Sequence, residues 1–580
     1  MKLLPSLLQS FRFAVLVLLL ILIYPQQTRA TIFIQPPQVV QNPNPAAPLV
    51  ALVKFVTDTD VETTIDILSQ GSQQHSKLIF DNNHDPARGL PILGLRQGET
   101  YTLKVTVLDA TGKLEVAEPL QYTVPVLPHD IRNYPPLRIE INQSDKLEPG
   151  FTIVSARREI PLRDNGLSAT QWKFNRGFGM LLAFDNEGDV VWSYTTHVRI
   201  AGITQRPNGN IVYTTTDARI VEIDMLGNVI NQWHAIRYPA RAKSPAPVGS
   251  IAVDTVTLHH QPTLLPNGNI LVMSAYPKLI ANYYSSETDP NAPRADKMVM
   301  GDVIVEFAPD GRIVWQWNSF ENLDPFFIGH DSFSPYWSYR DFPDYVDWSH
   351  GNSLSFDEKT NSVVASFRNL NAVVNIDRST GKIRWVLTDP IGVPESMRHL
   401  LLKAKGEVTW PYAMHNPRVT EQGTLLMWVN GNSGTRPFDG RERKPVRDFI
   451  SRILEYKVDA SDMTVQQVWS SDGIITKDNC LSAAMGETYR LPQTGNTLLT
   501  MGLCLPQDRL DVNFTEDAGS KDYMFYFYAW TGLREFDNQT PPNVLRDIII
   551  DDPQQVITWQ LYGGFKTAEL YPNGIVQSAK

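Results

Sequence analysis

Short apolar runs separated by tight polar turns recur along most of the chain. The clearest unit, Phe184–Trp192, consists of an apolar strand, a turn containing Asp and Gly, and a second strand that carries a Trp. Units of this kind end at Trp192, Trp233, Trp315 and Trp385, with weaker copies ending at Trp469 and Trp559. In the clear copies the Trp follows the turn Gly by four or six residues. This even spacing keeps the Trp on one face of a strand, because strand side chains alternate.

A second turn, of the form Asn-Gly-Asn or a close variant, alternates with the first. Its copies lie at Asn208–Asn210, Asn267–Asn269, Gln422–Thr424, Thr494–Asn496 and Asn573–Gly574. The two kinds of turn together predict four-stranded antiparallel units. A series of such units predicts an all-β fold, a β-propeller over residues 178–580.

The two ends of the repeat region are incomplete in complementary ways. The last Asn-Gly turn, in Tyr571–Val576, has no outer strands after it, and the first Trp hairpin, Phe178–Trp192, has no inner strands before it. We therefore expect both ends to complete one blade, which closes the ring and leaves no open edge. Five internal blades and this shared blade predict a six-bladed propeller.

The first residues of the chain indicate export. Residues 1–30 have a positive flank and an apolar core, Phe13–Tyr24, and end at a small-residue site, Ala30. This pattern is typical of a secretory signal peptide, and the alternative is an uncleaved anchor. In an oxidising compartment Cys480 and Cys504 are expected to form one disulfide; the alternative is two unconnected buried thiols. The net charge of −10 argues against a nucleic-acid partner, and no membrane association is expected after signal cleavage.

Three segments separate the signal peptide from the propeller. Residues 31–47 are rich in Pro, Gln and Asn and predict an extended lead-in, and residues 129–177 predict a connector. Residues 48–128 alternate polar and apolar positions, and Leu95 begins a Leu-x-x-Gly-x-x-Tyr entry into a strand at Tyr101. That entry is typical of immunoglobulin- and fibronectin-like domains, so we predict a small N-terminal β-sandwich.

Three histidines occupy nearly equivalent positions in the repeat. His260 and His415 each precede the second kind of turn by six residues, and His350 precedes a longer turn at Asp357 by seven. All three are therefore expected near the starts of innermost strands. Because those starts converge in a propeller, the histidines are predicted to meet at one mouth of the central channel.

Arg368 and Asn352 are expected to join the histidines. Arg368 closes the strand that returns toward His350, and Asn352 lies two residues after His350 on the same strand face. Three histidines permit a zinc site, but no Asp or Glu shares their repeat position and Arg368 would repel a dication. Arginine and protonated histidine suit an oxyanion better, so we expect no metal and an anionic ligand.

The residues around this cluster leave several roles open. His259, His330 and His399 lie outside the repeat position and are interpreted as structural. Strand parity directs Arg418 away from His415. The aromatic residues nearby flank an aryl group or belong to the core; these are Tyr336, Trp337, Trp348 and Tyr412.

Several motifs resemble those of the bacterial aryl-sulfate sulfotransferases. They are Asp347-Trp348-Ser349-His350-Gly351-Asn352-Ser353, Ser366-Phe367-Arg368, Asn375-Ile376-Asp377, Met414-His415-Asn416-Pro417 and Ser451–Tyr456. The first site departs from the family pattern, since His259-His260-Gln261 stands where the family has His-His-Asp. The resemblance covers the propeller and, more loosely, the sandwich.

The resemblance implies transfer of a sulfuryl group from an aryl sulfate to a phenol, with neither the nucleotide donor PAPS nor another cofactor. It implies that His415 is the nucleophile and forms a transient sulfohistidine with ping-pong kinetics. It further implies that His260, His350 and Arg368 assist catalysis and that Asn352 binds substrate. We expect Tyr412 to bind substrate as well, and the protein to work as a periplasmic homodimer.

Other functions fit the same residues. A sulfate or phosphate ester hydrolase would use this site with water as the acceptor. A non-catalytic propeller would hold an anion or a partner at its basic mouth. A quinoprotein dehydrogenase is disfavoured, because a calcium–quinone site needs acidic ligands and no Asp or Glu shares the histidine position.

Overall fold

A computed structural model describes residues 32–72, 74–161, 167–242, 245–445, 448–473, 480–505, 529–571 and 575–579. The predicted signal peptide lies outside the described residues. Among them, no helix is long and apolar enough to cross a bilayer.

The strands of the N-terminal part are β1 (Phe33–Gln41), β2 (Ala51–Thr57), β3 (Val61–Ser69), β4 (His75–Phe80), β5 (Leu90–Ile92), β6 (Thr100–Asp109), β7 (Leu114–Val116) and β8 (Leu120–Thr123). The next strands are β9 (Leu137–Asn142), β10 (Phe151–Glu159), β11 (Gly179–Phe184), β12 (Val190–Thr196), β13 (Ile200–Gln205), β14 (Ile211–Thr215), β15 (Arg219–Ile223), β16 (Val229–Ala235), β17 (Ile251–Val253), β18 (His259–Leu264), β19 (Ile270–Tyr283), β20 (Ala295–Phe307), β21 (Ile313–Asn318) and β22 (Val346–Asp347).

The remaining strands are β23 (Gly351–Asp357), β24 (Ser362–Phe367), β25 (Ala372–Asp377), β26 (Ile383–Leu387), β27 (Lys403–Ala404), β28 (Met414–Val419), β29 (Leu425–Val429), β30 (Arg452–Asp459), β31 (Thr464–Ser470), β32 (Leu481–Ser482), β33 (Glu487–Arg490), β34 (Thr497–Leu505), β35 (Trp530–Phe536), β36 (Val544–Ile550), β37 (Thr558–Thr567) and β38 (Ile575–Ala579). Between these strands, the described residues form two α-helices, α1 (Ala169–Arg176) and α2 (Ser319–Asn322), and four 3-10 helices (Ser144–Lys146, Pro239–Ala242, Ser338–Arg340 and Glu395–Leu400).

The predicted N-terminal sandwich is confirmed. One sheet has the order β1-β2-β5, and the other has the order β38-β4-β3-β6-β7 with β8 also paired to β6. Along β3, buried positions from Val61 to Ser69 alternate with more exposed ones, so one face packs into the core that both sheets share. The segment interpreted as a lead-in, residues 31–47, contributes β1 to this sandwich rather than running beside it.

Six antiparallel sheets make up the rest of the described fold. Their main strand orders are β37-β10-β11-β12, β13-β14-β15-β16, β18-β19-β20-β21, β23-β24-β25-β26, β28-β29-β30-β31 and β33-β34-β35-β36. The first strand of each sheet contacts the first strand of the next, in the cyclic order β37, β13, β18, β23, β28, β33 and back to β37. This ring is a β-propeller, and the predicted all-β fold is confirmed.

The repeated Trp residues join neighbouring blades. The indole Nε1 of Trp192 donates to the carbonyl of Met225, and that of Trp233 donates to the carbonyl of Pro309, each in the next blade. In the third copy the buried Trp is Trp317, which donates to Gly381, whereas Trp315 is only partly buried. The sequence pattern therefore identified the right strand but the wrong Trp, because both positions lie on the same strand face.

The ends of the chain meet in one blade, but the strands differ from those predicted. The inner strand is β37, so Trp559 lies on an innermost strand and not on an outer one. The second strand is β10, which lies in the segment interpreted as a connector; β9, from the same segment, pairs with β36. Thus 129–177 contributes two strands to the propeller.

The last strand also departs from the prediction. Residues 572–574 of the last Asn-Gly turn lie outside the described residues, and β38, which follows, pairs with β4 of the sandwich rather than completing a blade. The Tyr571 hydroxyl explains this placement, because it bonds to the backbone N–H and carbonyl of Leu93 and holds the C-terminal segment against the sandwich.

The predicted disulfide is confirmed. Cys480 and Cys504 are bonded across a sequence separation of 24 residues. Both cysteines are fully buried, and Cys504 lies in β34, which pairs with β32 at Ser482. The bond therefore holds the start of the last blade beside its second strand.

Candidate active site

The three histidines lie at the starts of consecutive inner strands. His260 is in β18, His350 precedes β23 directly, and His415 is in β28. The ring centroids of His260 and His350 are 5.6 Å apart. Their backbone φ angles are +61° and +48°, in the left-handed region that residues other than glycine rarely adopt. Such backbone strain clusters at functional sites, because the surrounding structure must hold it.

His350 is paired with a carboxylate. Its Nδ1 lies 2.5 Å from Oδ2 of Asp347, which is completely buried. Asn369 Nδ2 donates to the same carboxylate oxygen at 3.2 Å, so Asp347 is held in place. With its Nδ1 proton bonded to Asp347, His350 keeps Nε2 for proton exchange with a ligand, the arrangement of a general acid–base group.

His260 is bonded to its neighbour His259. The two Nδ1 atoms are 2.6 Å apart, and Nε2 of His259 lies 3.2 Å from the carbonyl of Ser274. Since that carbonyl only accepts, His259 carries its proton on Nε2 and accepts from His260 Nδ1. The Asp302 carboxylate lies 3.5 Å from His259 Nε2. Nε2 of His260 therefore bears a lone pair, and His259, interpreted from sequence as structural, determines this.

His415 is paired with an amide instead of a carboxylate. Its Nδ1 lies 2.6 Å from Oδ1 of Asn430. Nδ2 of Asn430 donates to the carbonyls of Ser482 and Met485, which fixes Oδ1 as the acceptor. His415 thus carries its proton on Nδ1. Its Nε2 accepts a 3.2 Å bond from the backbone N–H of Met485, so Nε2 is an unprotonated imidazole nitrogen.

Burial keeps the imidazoles of His259, His260 and His415 neutral. Desolvation, reinforced by the positive charge of Arg368, lowers the pKa of His415 to about 3. Desolvation and the charge of Arg340 lower the pKa of His259 to about 3, and the same desolvation holds the pKa of His260 well below its ordinary value. An uncharged nitrogen is a nucleophile, whereas a protonated one is not. His415 therefore retains its nucleophilic form across the neutral range.

Arg368 lies where its strand position predicts. Its backbone N–H donates to the carbonyl of His350 at 3.0 Å, and its guanidinium bonds to Asp331 at 3.0 Å and to Asn369 at 2.9 Å. The guanidinium is 10% exposed and close enough to His415 to lower its pKa. The site thus holds an oriented cation beside a neutral nucleophile. Among the described residues, no group of three or more His, Cys, Asp or Glu side chains is arranged to hold a metal.

The other two predicted ligands have different surroundings. Asn352 donates to the carbonyl of Met414 at 2.9 Å and accepts from Ser366 at 2.5 Å, so it joins two blades directly beside His415. The Tyr412 hydroxyl bonds to Asp389 at 2.5 Å and accepts from Arg441 at 3.1 Å, within an ion cluster that includes none of the three histidines. The structure gives Asn352 a positioning contact and shows Tyr412 bonded away from the cluster.

The aromatic residues divide into two groups. Trp348 is completely buried and its indole donates to Phe327, so it belongs to the core. Tyr336 stands against the site: its ring centroid is 4.2 Å from that of His350 and 6.2 Å from that of His260. Trp337 packs edge-on against His259 at 5.6 Å.

Gln261 and Arg418 lie apart from the reacting side. Arg418 donates to Oε1 of Gln261 at 2.8 Å and to the Tyr489 hydroxyl at 2.8 Å, as its predicted orientation away from His415 requires. Gln261 also donates to the carbonyl of Ile203 at 2.7 Å. The glutamine therefore builds a network between inner strands, and the carboxylate near His259 is that of Asp302.

Comparison with known proteins decides the family. The model of the arylsulfotransferase family matches residues 138–532, well over half of the chain, and the model of the arylsulfotransferase Ig-like domain matches residues 38–125. The chain belongs to the arylsulfotransferase family. The propeller match begins at the strand β9 and the second match covers the sandwich, so both described domains are those of the family.

Two curated relatives of the family have closely similar segments. Arylsulfate sulfotransferase AssT of Escherichia coli O6:H1 is 31% identical over 144 residues, which is 21% of this chain and 22% of the relative. The AssT of Lelliottia amnigena is 29% identical over 143 residues, with the same coverage. The matched segment thus spans about a fifth of these relatives' length. A solved structure of Synechocystis ACO covers 75% of this chain and 98% of its own at 9% identity, but its TM-score of 0.33 is too low to inform fold or function.

Sequence patterns did not single out three residues of this site, Asp347, Asn430 and Met485, and they interpreted His259 as structural. Asp347 was part of a quoted motif, three residues before His350, and that spacing was the available signal. Asn430 and Met485 reach His415 from other parts of the chain, and the sequence carries no repeat that relates them to the histidines. Tyr336, which the sequence left open between flanking an aryl group and belonging to the core, packs against His350.

Proposed function

We propose that the protein is an arylsulfotransferase that moves a sulfuryl group from an aryl sulfate ester to a phenol through a covalent intermediate on His415, without PAPS. The observation that carries the proposal is the unprotonated Nε2 of His415, because Asn430 binds Nδ1 and so determines the tautomer. The charge of Arg368 acts on this imidazole, and the His350–Asp347 pair belongs to the same site. The family to which the chain belongs supports the same reaction.

In the first half-reaction the Nε2 lone pair of His415 attacks sulfur, and the bond from sulfur to the aryl oxygen breaks. His350 donates a proton from Nε2 to the departing phenolate, and the Asp347 carboxylate stabilises the imidazolium form that holds this proton. Arg368 offsets the charge on the sulfuryl oxygens. The products are a phenol and N-sulfo-His415.

In the second half-reaction His350 Nε2, now unprotonated, takes the proton of the acceptor phenol. The phenol oxygen attacks sulfur and the N–S bond breaks, which returns His415 to its starting form. Donor and acceptor use one site in turn, so ping-pong kinetics follow. The amide partner of His415 favours this release, because a carboxylate there would stabilise the sulfoimidazolium and make it a poorer leaving group.

The assay that tests this function uses p-nitrophenyl sulfate with and without added phenol. Nitrophenol release that depends on phenol, together with formation of phenyl sulfate, is the expected result. Equal release in water alone would identify a hydrolase, and no release in either condition would indicate a binding propeller. His415→Asn is expected to abolish transfer, and retained transfer in that variant would exclude His415 as the nucleophile.

We also propose that the protein works as a homodimer in the periplasm. The apolar segment of residues 1–30 and the Cys480–Cys504 bond support export to an oxidising compartment. Fractionation of cells into periplasm and cytoplasm tests the location, and light scattering of the purified mature protein tests the dimer. A cytoplasmic protein or a monomer would contradict the corresponding part.

A further inference from the structure

Asp302 is a buried carboxylate to which the proposed reaction assigns no role. It lies in β20, it is 1% exposed, and within the described part of the chain no Lys or Arg comes within 4.0 Å of it. Desolvation raises the pKa of this carboxyl to about 7, and the hydrogen bonds from Ser349 and Gly351 act against that rise. Because a buried carboxylate without a cation is unfavourable, these hydrogen bonds are what stabilises its charged form.

One oxygen of Asp302 binds the chain on both sides of His350. Oδ2 accepts from the Ser349 hydroxyl and from the Gly351 backbone N–H, each at 2.5 Å. The backbone N–H of Asp302 donates in turn to the Ser349 hydroxyl at 3.0 Å. A Cβ atom at position 351 would lie 2.8 Å from Cγ of Asp302, so the close approach requires glycine there. These contacts hold His350 at its φ of +48°, a conformation that persists only where the surrounding structure fixes it.

The other oxygen of Asp302 faces His259. Oδ1 lies 3.5 Å from Nε2 of this imidazole and, among the described residues, has no hydrogen-bond partner. The same Nε2 lies 3.2 Å from the carbonyl of Ser274. Carboxylate and carbonyl oxygens only accept, so both favour a proton on Nε2. Nδ1 of His259 then keeps a lone pair that accepts the Nδ1 proton of His260, with the two nitrogens 2.6 Å apart.

We infer that Asp302 is a positioning residue for two of the three histidines of the site. It holds the backbone of His350 through the two neighbours of that residue, and it holds the tautomer of His260 through His259. In that tautomer His260 can accept a proton or a hydrogen bond at Nε2 but cannot donate one there. Since β20 belongs to the blade of His260 and β23 follows His350 in the next blade, one carboxylate adjusts two imidazoles of neighbouring blades to each other.

The first test changes the tautomer and keeps the hold on His350. In Asp302→Asn the two donors beside His350 still need an oxygen, so Oδ1 of the amide takes their place and Nδ2 turns toward His259. The amide N–H donates where the carboxylate accepted, which disfavours the proton on Nε2 of His259 and increases the Nε2–H form of His260.

Nitrogen NMR of isotope-labelled histidine rings measures this change without turnover. The ring signals of His260, assigned from the spectrum of His260→Asn, should shift in Asp302→Asn toward those of an Nε2–H imidazole. Unchanged His260 signals in a folded Asp302→Asn protein would overturn the inference.

The second test loosens the hold on His350 and keeps the contact with His259. Ser349→Ala removes one of the two bonds to Oδ2 of Asp302, so the acid–base group of the proposed reaction is less well placed. This kinetic consequence rests on the proposed function. The kcat with phenyl sulfate is expected to fall about tenfold, and that with p-nitrophenyl sulfate less, because the poorer leaving group depends more on protonation. The His260 ring signals should stay as in the wild type. An equal loss with both esters, or no loss, would overturn the hold on His350.

Glu306→Gln is the matched control for the loss of a buried carboxylate. Glu306 lies four residues after Asp302 on the same strand and is completely buried. It accepts from Arg378 at 2.7 and 2.8 Å and from Asn269 at 2.7 Å, and its hydrogen bonds include no histidine. The variant is expected to keep the wild-type His260 signals and the wild-type ratio of the two kcat values. Signals shifted as in Asp302→Asn would show a general effect of the lost charge and would contradict the inference.

The two readouts separate this inference from the proposed function. A wild type that transfers no sulfuryl group, with His260 signals that shift in Asp302→Asn, would reject the function and support the tautomer relation. Transfer by the wild type, with His260 signals that do not respond to Asp302→Asn, would reject the positioning role and leave the function standing.

Discussion

The imidazole of His415 donates its Nδ1 proton to an amide oxygen, Oδ1 of Asn430, at 2.6 Å. The imidazole of His350 donates its own Nδ1 proton to a carboxylate, Oδ2 of Asp347, at 2.5 Å. A carboxylate stabilises an imidazolium and an amide does so far less. Two histidines at nearly equivalent positions of the repeat are therefore suited to different roles, proton transfer for His350 and nucleophilic attack for His415.

Asp347→Asn should impair proton transfer at His350. The amide preserves size but stabilises the imidazolium less, so kcat is expected to fall about 10²-fold or more. The loss should be larger with phenyl sulfate than with p-nitrophenyl sulfate, because a poor leaving group needs protonation more. Steady-state kinetics with both esters measures this dependence.

Asp344→Asn is the control for that variant. Asp344 is an exposed residue of the same segment with a φ of +65°, which Asn also tolerates. Kinetic constants like those of the wild type are expected for it. A loss in Asp347→Asn that is the same for both esters would argue against His350 as the acid.

Asn430→Ala should change the tautomer of His415. Without the Oδ1 acceptor, the Nδ1–H tautomer is favoured only by the Met485 N–H that donates to Nε2, so the Nε2–H form becomes more populated. A nucleophile held in the wrong tautomer is expected to lower kcat about 10²-fold. Asn432→Ala is the matched control, since it removes a neighbouring buried amide that donates to Ala483 at 3.0 Å. Equal kinetic losses in the two variants, after comparison of their melting temperatures, would refute the tautomer argument.

The rate of the first half-reaction should not fall as the pH is lowered. The folded-state pKa of His415 is lowered to about 3, below its ordinary value, so lowering the pH from 8 to 5 leaves Nε2 unprotonated. Rapid-quench measurement of the first nitrophenol release should give a rate that does not fall over this range. A rate that declines with an apparent pKa near the ordinary histidine value of about 6.5 would contradict a desolvated nucleophile.

The disulfide should contribute stability. Cys480 and Cys504 are separated by 24 residues, and the cross-link restricts the unfolded chain. Replacing both with Ser is expected to lower the free energy of unfolding by about 3 kcal/mol, measured by urea denaturation. The wild type unfolded in the presence of reductant should match the double variant. A midpoint unaffected by either change would show that the bond contributes little.

Because of the repeat, the fold and the positions of the three histidines could be predicted from the sequence. The spacing between each histidine and the following turn indicated that His260, His350 and His415 lie at the starts of inner strands. This spacing is six residues for two of them and seven for His350. It misplaced Trp559 and the last strand, because strands β37 and β38 are determined by pairing with β10 and β4 at the other end of the chain. Residues such as Asn430 and Met485 reach His415 only through contacts between blades, which no local pattern encodes.

The most direct measurement is the site of covalent modification after mixing the protein with p-nitrophenyl sulfate in the absence of acceptor. Rapid quenching under alkaline conditions, digestion and mass spectrometry should find one sulfuryl group on the peptide that contains His415, and added phenol should remove it. The His415→Asn protein should remain unmodified. A sulfuryl group on His260, His350 or another residue, or transfer without any modified peptide, would contradict the account.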